Sequence, residues 1–341
     1  MKPLKILLLV HEDLIPPDPV PLGTDTTAVE WKTEFDVKVT LQGLGHHVLA
    51  VGIKGEISPL RRAIKEFEPD IVFNLLEEFD GDVTYDHHIV SFLELHKVAY
   101  TGCNPRGLLL ARDKALSKKI LKYHRIQTPN FMVVPKGHKV KLKKNLHLPV
   151  IVKSLIEESS LGISKASVVE SEKDLIERVN YIHQSLKTDV ILESYISGRE
   201  FYVGVLGNHR LEAFPIWELH FGDLKNEPVQ IATQHVKWND KYRKRHKIKS
   251  RNATDLDPLL VKRIQTLCKK AYRKLDLSSY VRFDLRFSSN NQEAYILEAN
   301  PNPGIAYGED FPESAELSGY TYDDLIEKIL KLGLNWHTAR R

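Results

Sequence analysis

Residues Tyr280 to Phe287 alternate strictly: Val281, Phe283, Leu285 and Phe287 fall on one side of an extended chain, and Arg282, Asp284 and Arg286 on the other. Such a strand needs a core beneath one face and a polar setting above the other. The loop Ser288-Ser289-Asn290-Asn291-Gln292 separates it from a second extended segment, Glu293 to Asn300, and suits an antiparallel hairpin. Alternation in the second segment puts Ala294, Ile296, Glu298 and Asn300 on one face, so a side that begins apolar ends in two oxygen-bearing groups. Symmetric pairing about the loop brings Arg282 near Glu298 and leaves Asp284 diagonal to Glu298 and Asn300. Taken alone, this is either a cross-strand ion pair of Arg282 with Glu298, the commoner case, or a hard-oxygen set suited to magnesium held together with nucleotide phosphates.

The chain in front of this hairpin reads as two different kinds of sheet. From the N-terminus, Ile6–Val10, the helical stripe Val37, Leu41 and Leu44, and Val48–Ile53 spell strand, helix, strand. A helix begins at Ser58-Pro59 and carries Leu60, Ile64 and Phe67; Ile71–Leu76, a helix through Ile89, Phe92 and Leu93, and a short strand Val98–Thr101 follow. This βαβαβαβ run predicts a doubly wound parallel sheet ending near Asn104. A helix over 106–123 and Pro129 then lead to hairpin-like strands, among them Val150–Lys153 and Val190–Glu193, with a helix from about Lys173 to Leu186 between them. Asp257-Pro258 starts a further helix, with Leu260, Ile264, Leu267, Cys268 and Ala271 facing inward. The class is therefore α/β followed by α+β, with units expected at 1–104, 105–200 and 201–335.

A chain of 341 residues is long for a single core, which agrees with several subdomains. Hydrophobic residues at 42% and charged residues at 28% are ordinary for a globular protein, and a net charge of +4 makes no case for nucleic acid. Two cysteines, Cys103 and Cys268, form neither a disulfide framework nor a metal cluster, and a reducing cytoplasm is expected. The apolar run Ile6–Val10 is too short for a signal-peptide core, and no stretch approaches the roughly 18 to 20 apolar residues of a membrane helix, so no membrane is expected.

Seven segments in order carry a resemblance. Asp113-Lys114, Pro149-Val150-Ile151-Val152-Lys153, Glu157-Glu158-Ser159-Ser160-Leu161-Gly162, Glu193-Ser194-Tyr195-Ile196-Ser197-Gly198-Arg199-Glu200, Asp240-Lys241-Tyr242, Arg282-Phe283-Asp284 and Leu297-Glu298-Ala299-Asn300-Pro301-Asn302-Pro303-Gly304 are similar to the motifs of the ATP-grasp ligases. The D-alanine:D-alanine ligases are the closest in pattern. The resemblance implies an ATP-grasp fold behind an N-terminal doubly wound domain, and an ATP-dependent ligase joining a carboxylate to an amine through an acyl phosphate. It implies ATP with two magnesium ions, manganese being an alternative, small amino-acid or peptide substrates, and a possible homodimer.

Residue by residue, Lys114, Lys153 and Lys241 would contact the nucleotide, the loop with Ser159, Ser160 and Gly162 would close over its phosphates, and Tyr242 and Ser159 would assist the chemistry. Glu193 with the Tyr195 and Ile196 backbone would read the adenine, and Glu200 the ribose. Asp284, Glu298 and Asn300 would hold the magnesium ions, Arg282 would stabilise the tetrahedral oxyanion, and Asn302 and Gly304 would meet substrate. Singly, most of these residues are surface lysines, surface acids or turn residues; their joint order is what argues for chemistry.

The pattern departs from the family at three places. His11-Glu12-Asp13 replaces the usual Gly-Gly turn, leaving Glu12 to take the amino-group-binding role. Ile305-Ala306-Tyr307-Gly308-Glu309-Asp310 replaces a threonine and serine, so Glu309 and Asp310 would repel an acceptor carboxylate. Asn74 to Asp82 is unusually acidic and reads as a solvated loop, the alternative being recognition of a cation. The basic run Lys241 to Arg251 reads as a lid that steers phosphate. Two rival functions share the scaffold: a small-molecule kinase, and a nucleotide-binding regulatory module without turnover.

Overall fold

The computed structural model describes residues 2–156, 164–224, 230–233, 235–236, 239–288 and 290–339. Strand β1 (Lys5–His11) lies at the centre of a parallel sheet, between β2 (His47–Ile53) and β3 (Ile71–Asn74). Its residues Ile6 to Val10 are all fully buried. Each such side chain contributes roughly 1.5 to 3 kcal/mol, which is why this strand anchors the layer. Helix α1 (Lys32–Gly43) buries Val37 and Leu41, and α2 (Ser58–Phe67), with Pro59 in its first turn, buries Leu60. The sheet is shorter than expected on one side: β3 stops at Asn74, and the segment at 98–101 joins it through an isolated Val72–Tyr100 bridge and a hydrogen bond from Asn74 N–H to Thr101 Oγ1 at 3.0 Å, not as a full strand. Helix α3 (Asp86–Leu95) precedes that segment.

The helix expected over 106–123 is two helices, α4 (Pro105–Arg112) and α5 (Lys114–Tyr123). Asp113 is the cause. Its backbone leaves the helical region, and its carboxylate accepts from the N–H groups of Ala115 and Leu116 at 2.9 and 2.8 Å, capping α5. Lys114 thereby becomes the first residue of a new helix, and Lys118 sits one turn on.

A four-stranded antiparallel sheet follows, in the order β4 (Phe131–Val134), β7 (Val190–Ser194), β5 (Val150–Ser154), β6 (Val168–Val169), with α6 (Glu172–Ser185) packed on it. The third sheet runs β11 (Lys249–Asn252), β10 (Trp217–His220), β8 (Arg199–Leu206), β12 (Tyr280–Ser288), β13 (Glu293–Pro301), with β9 (Glu212–Ala213) beside β8. Helix α7 (Asp240–Arg245) precedes β11. Helix α8 (Pro258–Lys274) covers the core face, burying Ile264, Cys268 and Ala271. After α9 (Asp310–Glu316), helix α10 (Tyr322–Ala339) returns to the first sheet, where Ile326, Ile329 and Leu330 join Ile6, Leu8 and Val10 in one core. That return sets the loop after β13 against α1.

Candidate active site

The hairpin register differs from symmetric pairing. Leu285 pairs with Ile296, but Asp284 pairs with Glu298 and Arg282 with Asn300, so Leu297 is an extra residue. Without this bulge Glu298 would oppose Phe283 and point into the core, as the simple alternation of Ala294, Ile296, Glu298 and Asn300 implied. With it, Glu298 and Asn300 cross to the face that carries Arg282 and Asp284. The expected Arg282–Glu298 ion pair is replaced by a different one. Arg282 lies opposite Asn300 and grips Asp284 through Nε at 2.8 Å and Nη2 at 3.2 Å, its guanidinium over the Tyr202 ring at 5.0 Å. Burial works against the arginine's charge, and Asp284 more than restores it.

Two features hold the bulge. The Lys118 ammonium donates to the Leu297 carbonyl, and Ile296 N–H donates to the Gln127 carbonyl at 3.0 Å. Lys118, only 1% exposed, also pairs with Glu193 Oε1 at 2.7 Å, while Lys153 pairs with Glu193 Oε2 at 3.1 Å. Burial alone would raise the Glu193 carboxyl, but the two ammonium groups hold it down at about 2. Lys153 has its own pKa raised: burial opposes its charge, and Glu193, Glu298 and Glu200 outweigh burial. A charged chain thus runs from β7 through α5 and β5 to the bulge.

Glu200, on β8, is buried and held by Arg286 at 2.9 Å and by the Tyr202 hydroxyl at 3.0 Å. Tyr195 turns its hydroxyl to the backbone of Gln230 and its N–H to the Pro149 carbonyl, beside Ile151, Val168 and Ile231. Ile196, next along, is half-buried. Lys114 is buried at the start of α5. Lys241 is exposed on α7, and Tyr242 lies against His246 with ring centres 4.5 Å apart and planes tilted by 47°, and borders a cavity of about 190 Å³ with Ile231 and Phe221. Glu12 is exposed on a turn after β1. Ser159, Ser160 and Gly162 lie outside the described residues.

A cavity of about 660 Å³ gathers six of the expected site residues: Arg282, Glu298, Asn300, Asn302, Gly304 and Glu309. Asn302 adopts a left-handed backbone and accepts from Cys103 N–H at 2.8 Å, joining the end of β13 to the first domain. Gly102 faces it at φ +90°, where a Cβ would come within 2.7 Å of the Asn302 Oδ1. Glu309 folds back over Gly304, its Oε2 2.1 Å from where a Cβ would stand. The loop is tied to α1 by Asp36, which accepts from Tyr307 N–H at 2.9 Å and pairs with Lys32 at the same distance. Glu77, expected in a solvated loop, and Arg243, from the basic run, both line this cavity.

A family model described as D-ala D-ala ligase C-terminus matches residues 114–331, which is most of the chain. The chain belongs to that family. As a member it is an ATP-dependent ligase of the ATP-grasp type, forming C–N bonds. It is 29% identical over 323 residues to the uncharacterized protein y4sG of Sinorhizobium fredii, with 92% of this chain and 89% of the relative covered. It is 28% identical to the D-alanine--D-alanine ligase of Desulforudis audaxviator, with 87% and 90% covered. The fold is shared with the ligase of Bacillus anthracis solved in complex with ATP, at a TM-score of 0.75, 19% identity and coverage of 99% and 100%.

For this ATP-grasp ligase, the donor set bears on the implied magnesium. Among the described residues no group of three His, Cys, Asp or Glu is arranged to hold a metal. The set is two opposed carboxylates, Asp284 and Glu298, with the Asn300 amide, whose Nδ2 is buried without a hydrogen-bond partner. Hard oxygens in this number suit an ion that takes its remaining ligands from phosphates and water, so the residues fit. Sequence reasoning missed Lys118, although Lys114 and Lys118 stand four apart on one helix face, a spacing that was there to be used. It also missed the buried Arg112–Asp86 pair at 2.5 Å, Lys32 and Glu34, which no motif marks. No described helix is long and apolar enough to cross a membrane.

Proposed function

We propose that the chain activates a small carboxylate with ATP as an acyl phosphate and joins it to an amine, with magnesium as the metal and an acceptor other than D-alanine. One observation carries this reading: Arg282, Glu298, Asn300 and residues of the loop from Asn302 to Glu309 border a single cavity, with Asp284 paired directly opposite Glu298 and gripped by Arg282. The donor carboxylate oxygen attacks the γ-phosphorus, the bond to the β-γ bridging oxygen breaks, and ADP leaves. The amine nitrogen then attacks the acyl carbon; a C–N bond forms, the C–O bond to phosphate breaks, and the amine proton leaves with phosphate. Arg282 supplies a fixed positive charge for the intermediate's oxyanion. Magnesium, held by Asp284, Glu298 and Asn300, would neutralise phosphate charge. Lys153 and Lys114 are assigned to the nucleotide, Lys241 to its γ-phosphate from α7, and Glu193, Tyr195, Ile196 and Glu200 to its base and ribose.

D-alanine--D-alanine ligase relatives support the amide-forming chemistry, and the buried thiols Cys103 and Cys268 support the cytoplasm as its place. The test is to incubate the protein with ATP, magnesium and pooled amino acids, dipeptides and simple amines. Mass spectrometry should find ADP, free phosphate and a new amide in equal amounts. A stable phosphorylated metabolite without an amide would instead establish the kinase.

A further inference from the structure

Arg286 lies directly opposite Glu200 in the ladder between β12 and β8, and both are buried, at 3% and 4% exposed. A carboxylate taken out of water needs a counter-charge and donors for its oxygens. Arg286 Nη2 meets Glu200 Oε2 at 2.9 Å, and the Tyr202 hydroxyl donates to Oε1 at 3.0 Å, so each oxygen has a donor. An ionised carboxylate offers about four lone-pair sites, so Glu200 held in this way can still accept from two hydroxyls. The same guanidinium makes two further bonds: Nη1 donates to the Gly198 carbonyl at 2.8 Å, and Nη2 to the Gln230 carbonyl. Gly198 stands this close only because it has no side chain. At φ +141° a Cβ there would come within 2.0 Å of the Phe287 carbonyl oxygen, next to Arg286. Gln230 in turn donates its N–H to the Tyr195 hydroxyl at 3.1 Å. One buried cation therefore joins three parts of the nucleotide site: the carboxylate assigned to the sugar, the turn after Tyr195 and Ile196, and the segment that bonds to Tyr195.

We infer that Arg286 is a positioning residue for the nucleotide's sugar: it sets the direction of the Glu200 carboxylate and, through it, the choice between a ribose and a deoxyribose. The inference rests on the reading that Glu200 meets the ribose. A carboxylate that accepts from two neighbouring hydroxyls must keep both oxygens turned toward them, and free rotation of the Glu200 side chain would lose that direction. Arg286 opposes rotation because its other acceptors, the Gly198 and Gln230 carbonyls, belong to separate segments and fix the guanidinium plane. The Phe221 ring, 6.0 Å from the guanidinium carbon, bounds it further. A planar fork suits this set of acceptors, whereas an ammonium on a flexible stem would keep the charge and lose the fixed directions. A pair that served only to hold β8 to β12 would do so equally well whichever sugar was bound.

The test titrates ADP, 2′-deoxy-ADP and 3′-deoxy-ADP calorimetrically into the full chain with magnesium. The unaltered protein should bind ADP about tenfold or more tighter than either deoxy form, the worth of one hydrogen bond to a charged group. Glu200→Gln should reduce that ratio to about threefold or less. Arg286→Met should do the same, with the affinity for ADP falling more than that for the deoxy forms, and Arg286→Lys should restore part of the ratio. Should Arg286→Met fold poorly, the lysine variant decides, since it keeps the buried charge and is expected to lower the ratio at least about threefold. A ratio lost in Glu200→Gln but unchanged in the deciding Arg286 variant, with all three nucleotides affected alike, would overturn the inference and leave Glu200 as the reader of the ribose. No sugar preference in the unaltered protein, or one that survives Glu200→Gln, would remove that reading and the inference with it.

Discussion

Asp284 and Glu298 face each other directly across β12 and β13, and they do so because Leu297 is bulged out of the ladder. The bulge turns a strand that would bury Glu298 against Phe283 into one that presents it beside Asp284 and Arg282. Lys118 fastens the bulge through the Leu297 carbonyl and pairs with Glu193, so the bulge that presents Glu298 and the carboxylate expected to meet adenine are tied to one buried lysine.

That arrangement sets an order between two variants. Lys118→Met leaves Glu193 with Lys153, so the buried charges still balance, whereas Glu193→Gln leaves two ammonium groups buried together. Glu193→Gln should therefore cost more, about 3 to 5 kcal/mol, against about 1 to 3 kcal/mol for the unsatisfied Leu297 carbonyl in Lys118→Met. Lys118→Met should still lower kcat about tenfold by loosening the bulge. Denaturant unfolding and steady-state kinetics check both; an unchanged kcat in Lys118→Met would show that Lys118 does not fasten the bulge, and the reverse order of stabilities would contradict the charge balance around Glu193.

Glu34 predicts a pH dependence with a definite sign. Its folded pKa is raised from 4.5 to about 7, so the unfolded chain loses its proton first as pH rises. Stability from this group is then fully present below about pH 4.5, falls between 4.5 and 7, and levels off above 7. Glu34→Gln removes the loss and should stabilise the protein by roughly 2 to 3 kcal/mol at pH 8 while changing little at pH 4.5. Unfolding curves at the two pH values decide it; equal effects at both would mean the carboxyl is not perturbed.

Much of this architecture is legible in residue order. Ile6–Val10 reads as a buried strand because its apolar run has one physical solution, and Pro258 starts α8 where Asp257 can cap it, accepting from Leu259 N–H at 2.8 Å. The bulge is not legible, because Leu297 is as acceptable to a regular ladder as to a broken one. What fixes it comes from Lys118 and Gln127, far away in sequence. Asp113 offered a cap in the middle of an apparent helix, and its competing hydrogen bonds to Ala115 and Leu116 decided the break. Glu34 reads as an ordinary polar residue of an amphipathic helix, and nothing in its local sequence marks it as buried.

The loop after Gly304 governs acceptor choice. Glu309 lies over Gly304, and burial with Asp310 and Asp36 raises its pKa despite Lys32 and Arg282. A juxtaposed like charge costs on the order of 1.4 kcal/mol or more, about tenfold in affinity. D-alanine should therefore be a poor acceptor for the unaltered protein, and Glu309→Ser should improve its kcat/KM by about tenfold or more. Efficient D-alanyl-D-alanine synthesis by the unaltered protein, measured by chromatography of products, would contradict this reading of the loop.

The last prediction concerns Glu298→Gln. Glu298 is half-buried on the polar face of β13, outside the apolar clusters to which Ile296 and Ala299 belong, so the change removes a charge without opening a cavity. If Glu298 serves to bridge metal and phosphate, its loss leaves phosphate charge less neutralised as the γ-phosphoryl group moves. Removal of one positioned electrostatic group costs about 10² to 10³ in rate. If it serves only as one member of a half-exposed charge network near Lys153, the cost should be about 1 kcal/mol of stability or less, with turnover spared. Amide formation is expected to fall by about 10² or more while the thermal midpoint moves by only a few degrees, since 1 kcal/mol corresponds to about 2 to 4 °C in a domain of 150 to 250 residues. Nucleotide affinity, measured with ADP, should fall much less than turnover, because Lys153 and Glu200 keep their places on β5 and β8. Near-normal turnover in a fully folded variant would take Glu298 out of the chemistry and leave the bulge as a purely structural device.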